Sequence, residues 1–427
     1  MKALWIENAR LLDPASDLDV IGSLQIADGL IEDFGPDLAP PANADMPVFK
    51  ADGLCLAPGL IDLRVRTGEP GARHKETLAT ASAAAVAGGV TSMVVMPDTD
   101  PVIDDEALVE FILHQGRKCP NRIYPAGALT KGLAGKDMAE IGLMQEAGAV
   151  LFSNGAHSLA NAGLMKRLLT YARDFKAKIY VRAEEASLIG SGVMNAGALA
   201  ARMGLGGMGH EAEYIAGLRD IILAQATRAS LILDQISTPE LVHALVEAQR
   251  AGADVAATIA AHTLFFNELD VGDYLTHCKV RPPFRNEATR HLLIEAVRQG
   301  QIEAIVSAHD PQPEEDKRVP FSEAAFGAVG LETLFSSVLS LVQEGHLTLL
   351  EALRPLTIGP ARLAGLEGGC LKRQAPADII LFDPDEPWVC NREALRSKSS
   401  NSPYHGRRLQ GRVHKTFVQG EEVFSLR

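Results

Sequence analysis

The sequence predicts an α/β protein: a (β/α)8 barrel of the TIM type, flanked by a small β-sandwich domain built from both termini. Three observations predict it. Between residues 53 and 364 short apolar runs alternate with amphipathic stretches, giving about eight strand–helix units. Residues 1–52 and 365–427 instead carry short strands and turns, so the two ends resemble each other and bracket the barrel. Aromatic residues make up only 5% of the chain, and Ala, Leu and Val supply the core, as in α/β enzymes.

At the N-terminus, Ala3 to Ile6 is apolar and Leu18 to Ile26 partly alternates. Ala27-Asp28-Gly29 is a hairpin-type turn before Leu30 and Ile31. A Pro/Ala-rich loop from Gly35 to Met46 follows, and an apolar run from Leu54 to Leu60 opens the barrel. The predicted units are then helix Thr77 to Ala87, strand Gly89 to Met96, helix Asp104 to Lys118 and strand Arg122 to Ala126. Helix Lys136 to Ala147, strand Ala149 to Phe152, helix Leu159 to Phe175 and strand Ile179 to Arg182 come next. Helix Glu211 to Ala229, strand Leu231 to Ile236, helix Pro239 to Ala251, strand Val255 to Ile259, helix Ala288 to Gln299 and strand Ala304 to Ser307 complete the series. In the C-terminal part, Ala377 to Asp383 is a strand, and Leu409 to Val413 with Lys415 to Val418 predicts a hairpin. Gly420-Glu421-Glu422 turns into Val423-Phe424.

A net charge of −13 argues against a nucleic-acid partner or an anionic membrane surface. The five cysteines, Cys55, Cys119, Cys278, Cys370 and Cys390, are scattered without CxxC spacing, so no disulfide framework or zinc ribbon is expected. The N-terminus lacks the long apolar region of a signal peptide, and no run of 18 apolar residues predicts a membrane span. A cytoplasmic protein is expected.

The central stretch runs from Ala57 to Gly71, Ala-Pro-Gly-Leu-Ile-Asp-Leu-Arg-Val-Arg-Thr-Gly-Glu-Pro-Gly. Alternate residues of a strand share a face, so Arg64 and Arg66 project together from the end of a buried strand. In a (β/α)8 barrel that end is where chemistry sits.

These residues carry a family resemblance. Pro58-Gly59-Leu60-Ile61-Asp62, followed by Glu69-Pro70-Gly71, closely resembles the first metal motif of dihydroorotases in the amidohydrolase superfamily. Gly88-Gly89-Val90-Thr91 with Met96-Pro97, and Pro282-Pro283-Phe284-Arg285, resemble further family segments. So do Phe326-Gly327 with Val329-Gly330-Leu331-Glu332-Thr333, Gly359-Pro360-Ala361-Arg362, Ala375-Pro376-Ala377-Asp378 and Ser397-Lys398-Ser399 with Asn401. The resemblance spans residues 5 to 425 and implies a metal-dependent barrel that hydrolyses the cyclic amide of dihydroorotate in pyrimidine synthesis.

The sequence departs from the family at its metal positions. The His-x-His of the first motif is Arg64 and Arg66. The family's remaining ligand positions fall on Asn154, Arg182, Gln235 and Ala308, the last being where the ligand and general-base Asp would stand. A guanidinium is always protonated and has no acceptor lone pair, so it cannot ligate a cation. Substrate-holding positions differ as well: the family's Arg is Gly68, its Asn after Met-Pro is Asp98, and its Asn before Pro-Pro is Arg281. His309 stays in place and His262 sits near another family histidine.

Two readings follow. In the first, the chain is a non-catalytic dihydroorotase homologue, without metal or other cofactor, resembling the inactive chains that assemble with aspartate transcarbamoylase into an oligomer. Arg64, Arg66 and Arg182 then fill the vacated space and pair with Asp62, Asp98 or Glu184. In the second, the site is altered and active. Either zinc is held by His262, His309 and Asp310, or the arginines act as an oxyanion clamp. Within either reading, Arg64, Arg66, Arg182, His262, Arg281 and His309 are candidates for holding an anion. His157 is expected in a loop, the glycine-rich Gly204 to Gly209 as a flexible connection, and Glu314 to Arg318 as a solvated loop.

Overall fold

The computed structural model describes residues 3–40 and 46–426; residues 41–45 of the Pro/Ala-rich loop lie outside them. Eight parallel strands line up in chain order: Leu60–Val65, Val90–Val95, Arg122–Ala128, Leu151–Ser153, Ile179–Arg182, Leu231–Asp234, Val255–Ala260 and Ala304–Val306. The first and eighth meet where the Arg66 amide donates to the His309 carbonyl at 2.9 Å and the Ser307 amide donates to Asp62 Oδ1 at 3.3 Å. A helix follows each strand: Leu78–Ala87, Glu106–Gly116, Ile141–Glu146, Ala162–Asp174, His210–Thr227, Pro239–Arg250, Glu287–Arg298 and Leu334–Gln343. The fourth starts later than the apolar pattern suggests because the Asn161 side chain accepts from the Leu164 amide and fixes the helix start there. The third, Ile141–Glu146, is shorter than Lys136 to Ala147, because residues 137–139 pair back along 129–131: the Lys131 amide donates to the Asp137 carbonyl at 2.9 Å and the Ala139 amide to the Leu129 carbonyl at 3.0 Å.

Strand alternation sorts the core. Ile61, Leu63, Val94, Met96, Ile232, Ala256 and Val306 belong to a cluster inside the barrel. Ile179, Val181, Leu231, Leu233, Val255 and Ala257 join the larger cluster between strands and helices. The first strand breaks this alternation. Its pairing shifts between Asp62 and Val65, and Asp62 Oδ1 accepts the Arg64 amide at 3.1 Å. That bulge lets Leu63 and its neighbour Arg64 both turn inward.

The terminal segments form one eight-stranded sheet. Its order is Glu421–Ser425, Arg408–Val418, Ile379–Val389, Cys55–Pro58, Leu4–Asp13, Leu18–Ala27 and Leu30–Gly35, with Val48–Lys50 beside Leu4–Asp13. It buries its own cluster, including Ile6, Leu11, Leu24, Leu56 and Phe417. Cys55–Pro58 carries this sheet past residue 52. The apolar run from Leu54 to Leu60 is therefore two strands in two sheets, divided at Gly59, where a Cβ would lie 2.2 Å from Thr91. The hairpin expected at 409–418 is instead a single strand, Arg408–Val418, with Gly411 at φ 84° inside it. Two-residue hairpin turns lie at Asp28-Gly29 and Gln419-Gly420, each with both residues at positive φ.

Candidate functional site

Inward-facing positions at the C-terminal ends of the strands build a buried polar layer over the apolar interior. Asp234 is its centre. Its Oδ2 accepts from Arg64 Nε at 3.1 Å and from Gln235 Nε2 at 3.2 Å, and its Oδ1 accepts from the Tyr180 hydroxyl at 2.7 Å. Tyr180 in turn lies 3.0 Å from Thr258 Oγ1. Burial works against the Arg64 charge, but Asp234 and then Asp310 outweigh it and hold its pKa above the ordinary value.

Arg66 sits one step further out and bridges two carboxylates, Nε to Asp98 Oδ2 at 2.8 Å and Nη1 to Asp310 Oδ2 at 2.7 Å. Arg281 grips Glu184 with a two-pronged pair, Nε to Oε2 at 2.6 Å. Arg182 is different. It is buried, its Nε finds no hydrogen-bond partner, and its ion-pair contact to Asp234 Oδ2 is 4.0 Å long. Burial, followed by repulsion from Arg64, pushes its pKa down.

The partners therefore differ from those expected. Asp98 does pair with Arg66, but Glu184 takes Arg281, and Asp62 takes backbone amides. Asp62 Oδ2 has no partner, and burial pushes the Asp62 carboxyl up to about 6. Asp234 and Tyr180, missed in the sequence, are legible from the same alternation. They stand at the inward register of strands whose neighbours Leu233 and Val181 face the helices.

The two histidines are occupied in different ways. His309 Nδ1 accepts from the Gly330 amide at 3.3 Å, and Nε2 faces Glu76 Oε2 at 3.4 Å. Glu76 is itself buried and accepts from Thr80, Ser397 and the Lys398 amide, so it ties a barrel helix to the terminal segment. His262 packs edge-on to Phe284, with ring centres 5.5 Å apart, and its Nε2 is buried without a partner. Burial, then Arg64 and Arg182, lower its pKa to about 3, so the ring is neutral. Asn154 is held inside its own loop, accepting from Thr130 Oγ1 at 2.8 Å and donating to the Leu133 carbonyl at 3.1 Å. Gln235 and Ala308 both have φ 53°, where the chain turns out of the barrel. His157 is an exposed loop residue.

Two flanking expectations change. Gly207–Met208 pairs with Met194–Asn195, and the Met208 carbonyl accepts from buried Arg285 at 2.9 Å, so the glycine-rich segment is fixed at that end. Glu314–Lys317 is a short helix whose Lys317 is buried and donates to the Ala325 carbonyl at 2.7 Å.

The donors at the mouth do not fit a metal. Among the described residues, His262, His309 and Asp310 do not bring their ligand atoms within 4.8 Å of one another. The group that does is Asp383, Glu386 and His414 in the terminal sheet, where His414 Nε2 lies 2.6 Å from Glu386 Oε2 and Arg412 stands 3.3 Å from its other oxygen. A cavity of about 130 Å³ opens at the mouth beside Arg64, Arg182, His262 and Arg281. A larger one, about 480 Å³, lies at the opposite end of the barrel beside Glu303 and Arg362.

Residues 53–241 match the family model described as dihydro-orotase-like. A protein named dihydroorotase from Pelobacter propionicus is 37% identical over 422 residues, covering 99% of each chain. One of the same name from Syntrophotalea carbinolica is 38% identical over 427 residues, the whole of both chains. Among solved structures, the L-hydantoinase (dihydropyrimidinase) of Arthrobacter aurescens superposes with a TM-score of 0.90 at 24% identity, over 100% of this chain and 96% of its own. The dihydropyrimidinase of Brevibacillus agri gives 0.85 at 21%, over 99% and 95%. These two establish the fold alone, a barrel with a flanking β domain. With full-length relatives at this identity, the chain belongs to the dihydroorotase-like family of the amidohydrolase superfamily.

Proposed function

We propose that this chain is a non-catalytic dihydroorotase homologue of pyrimidine biosynthesis, acting in the cytoplasm as a structural partner of aspartate transcarbamoylase in an oligomer. The observation that carries this reading is the charge network at the barrel mouth. Metal-assisted amide hydrolysis needs carboxylates and neutral imidazoles with free lone pairs around one point. Here Asp98, Asp234, Asp310 and Glu184 are committed to guanidinium groups, and both nitrogens of His309 face partners. The motifs of the family resemblance instead make contacts that hold the scaffold. Asn401, for example, donates to the Asp310 and Gly327 carbonyls at 3.1 Å each. Fold without site chemistry supports a structural role.

A second reading is an active cyclic-amide hydrolase, converting dihydroorotate to N-carbamoyl-aspartate with an altered or mononuclear zinc site. Its support is the shared name of the full-length relatives. The separating experiment is dihydroorotate turnover by the purified chain with zinc added, together with size-exclusion in the presence of aspartate transcarbamoylase. The proposal expects no turnover and co-elution. Turnover that disappears in His309→Ala would overturn it.

A further inference from the structure

Of the buried polar atoms without a hydrogen-bond partner, Arg182 Nε and His262 Nε2 belong to residues that line one cavity at the barrel mouth. Arg182 is 5% exposed with an unpartnered Nε, and His262 is 4% exposed with an unpartnered Nε2. A buried donor without a partner is costly, and such groups in native proteins are normally satisfied. Neighbouring carboxylates do not satisfy this one. Asp234 already accepts from Arg64, Gln235 and Tyr180, while Asp310 and Glu184 hold Arg66 and Arg281. Arg64, Arg66 and Arg281 each have an acid within 3.1 Å, whereas Arg182 comes no nearer than 4.0 Å to Asp234.

We infer that this cavity is a binding site for a small carboxylate, gripped by the Arg182 guanidinium with His262 donating alongside. The inference rests on the reading of the mouth as metal-free. A guanidinium edge matches the two oxygens of a carboxylate in plane. Four arginines, Arg64, Arg66, Arg182 and Arg281, stand with four acids, Asp98, Asp234, Asp310 and Glu184, so the mouth has no net positive charge and takes a monoanion more readily than a dianion. A phosphate dianion would meet Asp310, which lines the same cavity. About 130 Å³ admits a small organic acid and excludes a nucleotide. Phe326 and Val280 form an apolar side wall, which suits the carbon end of such an acid.

The test uses the full-length chain and sodium acetate as probe, with the acetate methyl signal followed by NMR at constant ionic strength. Inorganic phosphate serves as competitor. Saturable broadening of the acetate line is expected, lost in Arg182→Gln and also in Ala156→Leu, which occludes the cavity without removing a charge. The second variant keeps the test decisive if the first fails to fold. Broadening that is absent, or that survives in a folded variant, overturns the inference, as does displacement of acetate by phosphate at lower concentration. Zinc measured on the same sample distinguishes the failures. A zinc-bearing chain overturns the metal-free reading and this inference together, and a zinc-free chain that leaves acetate sharp overturns this inference alone.

Discussion

Asp234 accepts three hydrogen bonds in a layer closed to solvent, and one of its donors is the fully buried Arg64. Asp234→Asn keeps the shape and removes the charge, leaving Arg64 and Arg182 uncompensated. A loss of about 3–5 kcal/mol is expected in urea denaturation, and the double variant Arg64→Met, Asp234→Leu should lose less than the single one. Asp62 gives a pH-dependent counterpart. Burial raises its pKa from 3.8 to about 6, so the fold favours the protonated form. The stabilising contribution is complete below the unfolded value and is lost as pH rises through the folded one. Asp62→Asn should therefore match the parent near the lower value and exceed it above the higher one, by about 3 kcal/mol at most. A constant difference across that window would contradict the assignment. The sequence made the arginines visible because their residue type conflicts with a metal motif. It left their partners obscure, because Asp234 meets Arg64 across 170 positions, and only the barrel's closure brings the two together.

At the scale of elements, the barrel holds where glycine permits close approach. An alanine Cβ at Gly330 would stand 2.4 Å from the Ser307 carbonyl oxygen, and one at Gly88 would stand 2.1 Å from that of Leu331. Neither oxygen belongs to a flexible side chain that can swing aside. Gly330→Ala is expected to cost about 1–3 kcal/mol or more and to loosen the His309 ring, whose Nδ1 accepts the Gly330 amide. Thermal denaturation and the His309 NMR signal check both parts, and an unchanged melting temperature would refute them. The alternation of strands and helices was legible because period-2 apolar runs and capped periodic stretches follow each other so regularly. The first strand was not, since one apolar run served two sheets and divided at Gly59. The strand Arg408–Val418 was misread as a hairpin because Gly411 and His414 interrupt its apolar pattern without a turn.

Across the whole molecule, the eight-stranded sheet from the termini and the barrel are tied together by buried polar contacts. Glu76 accepts from Ser397, and Asn401 donates to carbonyls of the mouth loops. The motifs that carry the family resemblance are thus largely those that build the scaffold. The mouth has become a set of ion pairs around Asp234, Asp98, Asp310 and Glu184. The most direct measurement is elemental analysis of the chain purified after growth with added zinc, without chelators. Zinc far below stoichiometric is expected, unchanged in His262→Ala and His309→Ala. Stoichiometric zinc that falls in either variant would contradict it.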